Sequence, residues 1–179
     1  RQADTASVTR VYVDSGIDLL SPRYHDISSI QTGIFNPNGY RFVEFPIYNA
    51  IHAILVRAFS NISLEVLGRL LSIFSSLVSS ILIYLLGKRF IGALGGIFSS
   101  AFFLFMPFNI YFSRVILPEP LAVTFALASV FIFTKFLDDE KFSTLIISGV
   151  FFALSMLIKP FTFFYIFPLA YLFLKKTFL

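Results

Sequence analysis

Between Asp4 and Ser15 small and apolar side chains intermingle with polar ones and stop at Gly16. This pattern predicts a short helix capped at its start by Asp4 and ended by the glycine. Residues 17 to 43 lose periodicity and carry Pro22, Gly33, Pro37 and Gly39 among polar residues, which is loop chemistry. From Pro46 the helical repeat returns: Ile47, Ala50, Ile51, Ile54, Leu55, Ala58 and Phe59 stand three and four apart, with Asn49, His52, Arg57 and Ser60 between them. The spacing predicts an amphipathic helix too polar to cross a bilayer and suited to lie along its surface. Long apolar runs follow, each judged against the roughly 20 residues needed to cross a hydrocarbon core of ~30 Å. They predict spans over residues 64 to 86, 91 to 108, 118 to 136, 142 to 158 and 161 to 174, the last two short. The expected organisation is a first loop with juxtamembrane helices over 1 to 63 and a bundle of about five helices over 64 to 179.

Composition sharpens this into a membrane protein of all-α class. The chain is 57% hydrophobic and 13% charged, and its mean hydropathy is +0.84, well outside the range of soluble domains. It has 25 Phe and 8 Tyr but no Trp, and the absence of Cys removes disulfides and thiolate chemistry from consideration. The net charge of +4 is explained by position. Lys88-Arg89, Lys135 with Lys141, and Lys175-Lys176 fall on alternate connections, which the positive-inside rule assigns to the cytoplasm. Residues 1 to 63, the connection from Arg114 to Pro118, and Lys159-Pro160 then share the extracytoplasmic side. No initiator Met, signal peptide or leading apolar segment is present, so the chain is expected to be an N-terminal fragment that lacks a preceding span and later parts.

That topology gathers Asp4, Glu44, Arg114, Glu119 and Lys159 on one face although they are far apart in sequence. Each also has a plain structural role open to it. Asp4 suits a helix cap, Glu44 suits the positive end of the helix after Pro46, and Arg114 and Glu119 suit a helix start. Lys159 suits a snorkelling side chain, as does Arg69, for which that role outweighs a ligand role. His25 and His52 lack metal spacing and are expected at the surface. Asp138-Asp139-Glu140 reads as a solvated turn beside Lys135 and Lys141. No phosphate-binding glycine loop, dinucleotide fingerprint or nucleophile elbow occurs, and no nucleic-acid partner is expected. Carboxylates and cations at a membrane surface suit transfer of a group from a lipid phosphate to a hydroxyl. One carboxylate would act as general base while Arg and Lys stabilise the departing phosphate, with or without a divalent metal ion. A transporter or flippase fragment is the competing class, in which the same charges would line a pathway.

Arg1-Gln2-Ala3-Asp4-Thr5-Ala6, the helix ending at Gly16, Glu44-Phe45-Pro46, Gly68-Arg69, Ser113-Arg114 through Leu117-Pro118-Glu119-Pro120, and Lys159-Pro160 occur in an order that resembles the membrane glycosyltransferases of the C-type fold. The chain is most similar to the bacterial branch of the protein O-mannosyltransferase and lipid A aminoarabinose transferase clan. The resemblance implies an inverting transferase in the bacterial plasma membrane, with a polyprenyl-phosphate sugar as donor and a hydroxyl acceptor at the extracytoplasmic face. It implies Asp4 as catalytic base, with Glu44 and Glu119 at the places of further acidic residues and Lys159 at that of a lysine ending a later span; with Glu44 and Glu119 taken as further catalytic carboxylates, Arg114, Lys159 and Arg69 are the expected donor-phosphate ligands. Phe45 stands where the aminoarabinose branch has Lys, and metal binding varies across the clan.

Overall fold

The computed structural model describes residues 1–27 and 35–178, so Gly33 of the expected loop lies outside the described residues. The described residues form an all-α helix bundle with no strand beyond one isolated bridge. Helix α1, Gln2–Ser15, has Arg1 and not Asp4 at its N-cap position, with no side-chain capping bond. Asp4 sits in the first turn, where its charge still meets the positive end of the helix. Gly16 ends the helix at φ 103°, a backbone angle that side-chain-bearing residues rarely adopt, and its N–H donates to the Tyr12 carbonyl.

Helix α2, Ile47–Ala58, falls where the repeat places it, but its buried side is Tyr48, Asn49, His52 and Ala53. Ile54 of the apolar row is exposed. The reason is α1, which packs against α2 and offers polar partners inside the interface. The Asn49 amide donates to the Thr5 carbonyl (2.7 Å) and to Thr9 Oγ1 (3.2 Å). His52, expected at the surface, is fully buried between Thr9 Oγ1 (3.1 Å) and the Leu64 carbonyl (2.8 Å).

Helices α3, Leu64–Ile91, and α6, Glu119–Asp139, are long and apolar enough to cross a membrane. The 21 residues of α6 reach about 30 Å at 1.5 Å per residue. The expected second span is divided. Gly92, at φ 90°, precedes α4, Ala93–Phe105, and Pro107 ends the run and opens α5, Pro107–Phe112. Proline at that point has no N–H to continue the ladder. Helix α7 occupies Phe142–Ile158, the bounds the pattern predicts. The expected fifth span is displaced, because Pro160 starts a 3-10 turn, Pro160–Tyr165, and α8, Ile166–Phe178, begins only after it.

Small and hydroxyl side chains hold α3 in place. Ser72, Ser75, Ser76, Ser79 and Ser80 form a buried stripe on α3, the small-residue interface expected where apolar attraction between helices is weak. Thr124 of α6 donates to the Ser75 carbonyl (2.8 Å) and lies 2.9 Å from Ser79 Oγ, while Ser80 meets Ser100 of α4 at 2.7 Å. Near the other end of α3 the backbone of α4 approaches so closely that a Cβ on Gly87 would stand 2.8 Å from Gly96 Cα. That end carries the pairs Arg89–Asp138, Lys141–Asp139 and Lys176–Glu140, so of the two lysines expected beside the acidic turn Lys141 pairs with it, and Arg89 and Lys176 from α3 and α8 supply the other partners. At the opposite end Tyr48, Leu71, Ile116, Leu121, Ala122 and Ile158 form one buried cluster. It brings the starts of α2 and α6 and the end of α7 together.

Candidate functional site

Three chain segments converge on Lys159. It follows the last residue of α7, and its backbone N–H donates to the Ser155 carbonyl at 2.9 Å. Ser155 Oγ in turn donates to the Ala122 carbonyl at 2.7 Å, fixing this end of α7 to α6. Glu119 is the first residue of α6. Glu44 lies two residues before the Pro46 cap of α2, in a stretch tied to α7 by the Phe45 N–H on the Leu157 carbonyl (3.2 Å). Lys159 Nζ contacts Glu44 Oε2 and lies 3.0 Å from Glu119 Oε1. The Lys159 side chain is 9% exposed, so it is a buried cation between two carboxylates, not a snorkelling one. Glu119 Oε2 is buried and has no hydrogen-bond partner among the described residues. The exposed Arg1 guanidinium stands 3.8 Å from Glu119 Oε1.

Asp4 adjoins this group through a residue the sequence did not single out. Arg41 Nη1 lies 3.0 Å from Asp4 Oδ2, with side-chain exposures of 11% and 17%. The loop delivers Arg41 by a short antiparallel pairing: Tyr24 N–H donates to the Gly39 carbonyl (2.8 Å) and Arg41 N–H to the Pro22 carbonyl (2.9 Å). Gly39 is needed there, at φ 62°, because a Cβ would run into the Tyr24 carbonyl. The Arg41 guanidinium also lies 5.4 Å from the centre of the Tyr24 ring. Burial acts to raise the Asp4 pKa, but the hydrogen bond and charge of Arg41 act the other way and hold it below its ordinary 3.8. Arg41 and Glu44 both border a water-sized gap shared with Thr5, Pro22 and Asn49, so the two ion-paired groups are neighbours. The signal for Arg41 in the sequence was faint: it is the one cation between Gly39 and Pro46.

A largely apolar cleft of about 400 Å³ reaches this cluster, lined by Phe103, Met106, Phe108, Phe112 and Phe161, with Glu119 and Arg1 at its polar edge. A second cleft of about 460 Å³ borders Glu44 from the side of Leu20, Phe42 and Leu157. Of the expected residues, Asp4, Glu44, Glu119 and Lys159 thus gather at one end of the bundle. Arg69 and Arg114 are exposed, and neither makes an ion pair among the described residues. No three His, Asp or Glu side chains among the described residues gather to hold a metal ion, and the cation between Glu44 and Glu119 is Lys159.

Residues 45–178 match the family described as dolichyl-phosphate-mannose-protein mannosyltransferase. The chain belongs to that family. As a member of this mannosyltransferase family it is a membrane glycosyltransferase of the kind that draws its sugar from a polyprenyl-phosphate-linked donor. No curated protein and no solved structure matches the chain. The part matched to the mannosyltransferase family contains Arg69, Arg114, Glu119 and Lys159, while Asp4, Arg41 and Glu44 precede it.

Proposed function

We propose that the cluster at this end of the bundle is the sugar-transfer site of an inverting glycosyltransferase that works at the extracytoplasmic face. It would move a mannosyl or related sugar from polyprenyl phosphate to a hydroxyl on a lipid, glycan or protein acceptor. One observation carries the reading: Glu119, which stands at the polar edge of an apolar cleft, shares the buried Lys159 with Glu44, and Asp4 lies beside this group through Arg41. A polyprenyl chain fits the phenylalanine-lined part of that cleft, and its phosphate then lies at the edge where the charged side chains are.

In the transfer, the acceptor oxygen attacks the anomeric carbon from the face opposite the phosphate. The carbon–oxygen bond to phosphate breaks, and polyprenyl phosphate leaves with the electron pair. Asp4 takes the acceptor proton as the new bond forms. Arg114 and Arg69, which have no carboxylate partner among the described residues, are the cations free to balance the departing phosphate. Lys159 keeps Glu44 and Glu119 in place, and Glu119 Oε2 is left to accept a hydroxyl of the sugar or acceptor.

Membranes containing the full-length protein, incubated with radiolabelled polyprenyl-phosphate sugars and with mannose first, should yield a labelled acceptor and free polyprenyl phosphate. Asp4→Asn should lower turnover by about 10²–10⁴-fold, the usual contribution of a positioned base. Turnover unchanged in that variant removes Asp4 from the mechanism. Failure of the wild type to transfer any sugar of the panel overturns the reading as a whole.

A further inference from the structure

The transfer just described asks Asp4 to accept a proton, yet its carboxylate is already engaged. Arg41 sits 3.0 Å away, both side chains are largely buried, and the pairing holds the Asp4 pKa below its ordinary value. A base in that state is weak, since an efficient proton acceptor needs a pKa nearer the working pH. The donor faces a matching difficulty. The cations of the cluster are likewise engaged: Arg41 and Lys159 are taken up by Asp4, Glu44 and Glu119, and the Arg1 guanidinium also faces Glu119, so none of them stands free of a carboxylate for an arriving anionic phosphate.

Of Arg41 and Lys159, the first is the one that can change partner. Lys159 is held by two carboxylates at the fixed junction of α7 with the 3-10 turn. Arg41 has a single carboxylate partner and projects from the loop between α1 and α2. Its guanidinium is also the better match to phosphate, because its planar fork pairs two oxygens at once.

We propose, on the reading of this cluster as a polyprenyl-phosphate site, that Arg41 is a donor-phosphate ligand that Asp4 holds until the donor arrives. The phosphate takes the guanidinium, and Asp4, released from its ion pair, becomes the competent base. Proton acceptance is thereby confined to the donor-loaded enzyme. The Arg41 backbone stays anchored on the Pro22 carbonyl, 2.9 Å from its N–H, so only the side chain has to swing.

Competition for one guanidinium gives the two partners opposite effects on binding, and linkage makes the effect reciprocal. The test measures binding of polyprenyl monophosphate to the purified full-length protein in nanodiscs. Asp4→Asn frees the guanidinium and should tighten binding about tenfold, whereas Arg41→Gln should weaken it about tenfold. Arg41→Lys should fall between wild type and Arg41→Gln. The double variant Asp4→Asn/Arg41→Gln should bind as weakly as Arg41→Gln alone, because the gain from Asp4→Asn passes through Arg41. A stabilising role for the ion pair alone predicts losses in both single variants. Wild-type binding with no gain in Asp4→Asn overturns this inference and leaves the glycosyl-transfer reading standing. No binding by the wild type overturns both.

Discussion

Lys159 is a buried cation that contacts two carboxylates at once. Two partly buried carboxylates flank one buried ammonium group, and removing a member of a buried ion pair costs about 3–5 kcal/mol because the remaining charge is stranded. Lys159→Met should therefore lower the unfolding free energy by about that amount and abolish transfer together. Glu44→Gln/Lys159→Met should recover part of the thermal stability and none of the activity. Unchanged stability with weakened donor binding would return Lys159 to the phosphate-ligand role that sequence alone suggested. Asp4 supplies a second test. Its folded pKa lies below the ordinary 3.8, so its pair with Arg41 contributes fully above that pH and is lost as pH falls through the lowered value. The difference in thermal midpoint between wild type and Asp4→Asn should shrink as the pH falls from about 6 to about 3. The partner behind that difference was not legible in the sequence. Arg41 meets Asp4 only because residues 22 to 24 pair with residues 39 to 41, and no helical or strand repeat marks that pairing.

At the scale of elements, α1 and α2 are joined to the start of α3 by a polar chain that runs from Asn49 through Thr9 to His52 and the Leu64 carbonyl. The partners assign the tautomer: Nε2–H donates to Leu64, and Nδ1 accepts from Thr9. Burial lowers the His52 pKa, against the opposing pull of the Leu64 carbonyl and Glu65. Between that lowered value and the ordinary 6.5, the unfolded chain binds a proton that the folded chain does not, so stability rises with pH across the window. The wild type should lose thermal stability between about pH 7.5 and about pH 5, and His52→Gln should lack that slope while starting lower. Gly68 makes room for the ring, since a Cβ there would lie 2.6 Å from His52 Cε1. Gly68→Ala should cost about 1–3 kcal/mol, and less in a His52→Ala background, a coupling that a double-mutant cycle measures. The position of α2 was legible from its apolar spacing. Its inward face was not, because the choice between Ile54 and His52 depends on Thr5 and Thr9 of another helix, which satisfy the polar groups that spacing alone assigns to water.

Across the whole molecule, what could be read in the sequence was which charges share an end. Residues separated by the length of an apolar run must lie at opposite ends, and those separated by two runs return to the same one. The alternation puts Asp4, Glu44, Arg114, Glu119 and Lys159 at one end, and in the structure Glu44, Glu119 and Lys159 meet there with Asp4 alongside, while Arg114 stays exposed. The end of the second run near Met106-Pro107 was legible, but the reading failed where a run is broken from within, as at Gly92 before α4 and at Pro160 before α8, since hydropathy averages over a residue whose backbone ends a helix. Orientation follows from the same reasoning. Lys88, Arg89, Lys135, Lys141, Lys175 and Lys176 lie toward the end remote from the cluster, and the bias of Lys and Arg toward the cytoplasm predicts that the cluster faces outward. The absence of Cys from all 179 residues makes single introduced thiols clean reporters. Asn38, exposed on the cluster side, and Ser143, exposed at the start of α7, are suitable positions. In intact cells a membrane-impermeant maleimide should label Asn38→Cys, and should label Ser143→Cys only after the membrane is opened. The reverse pattern would put the transfer site in the cytoplasm, where a soluble nucleotide sugar would compete with a lipid-linked donor and the case for polyprenyl phosphate would rest on family membership alone.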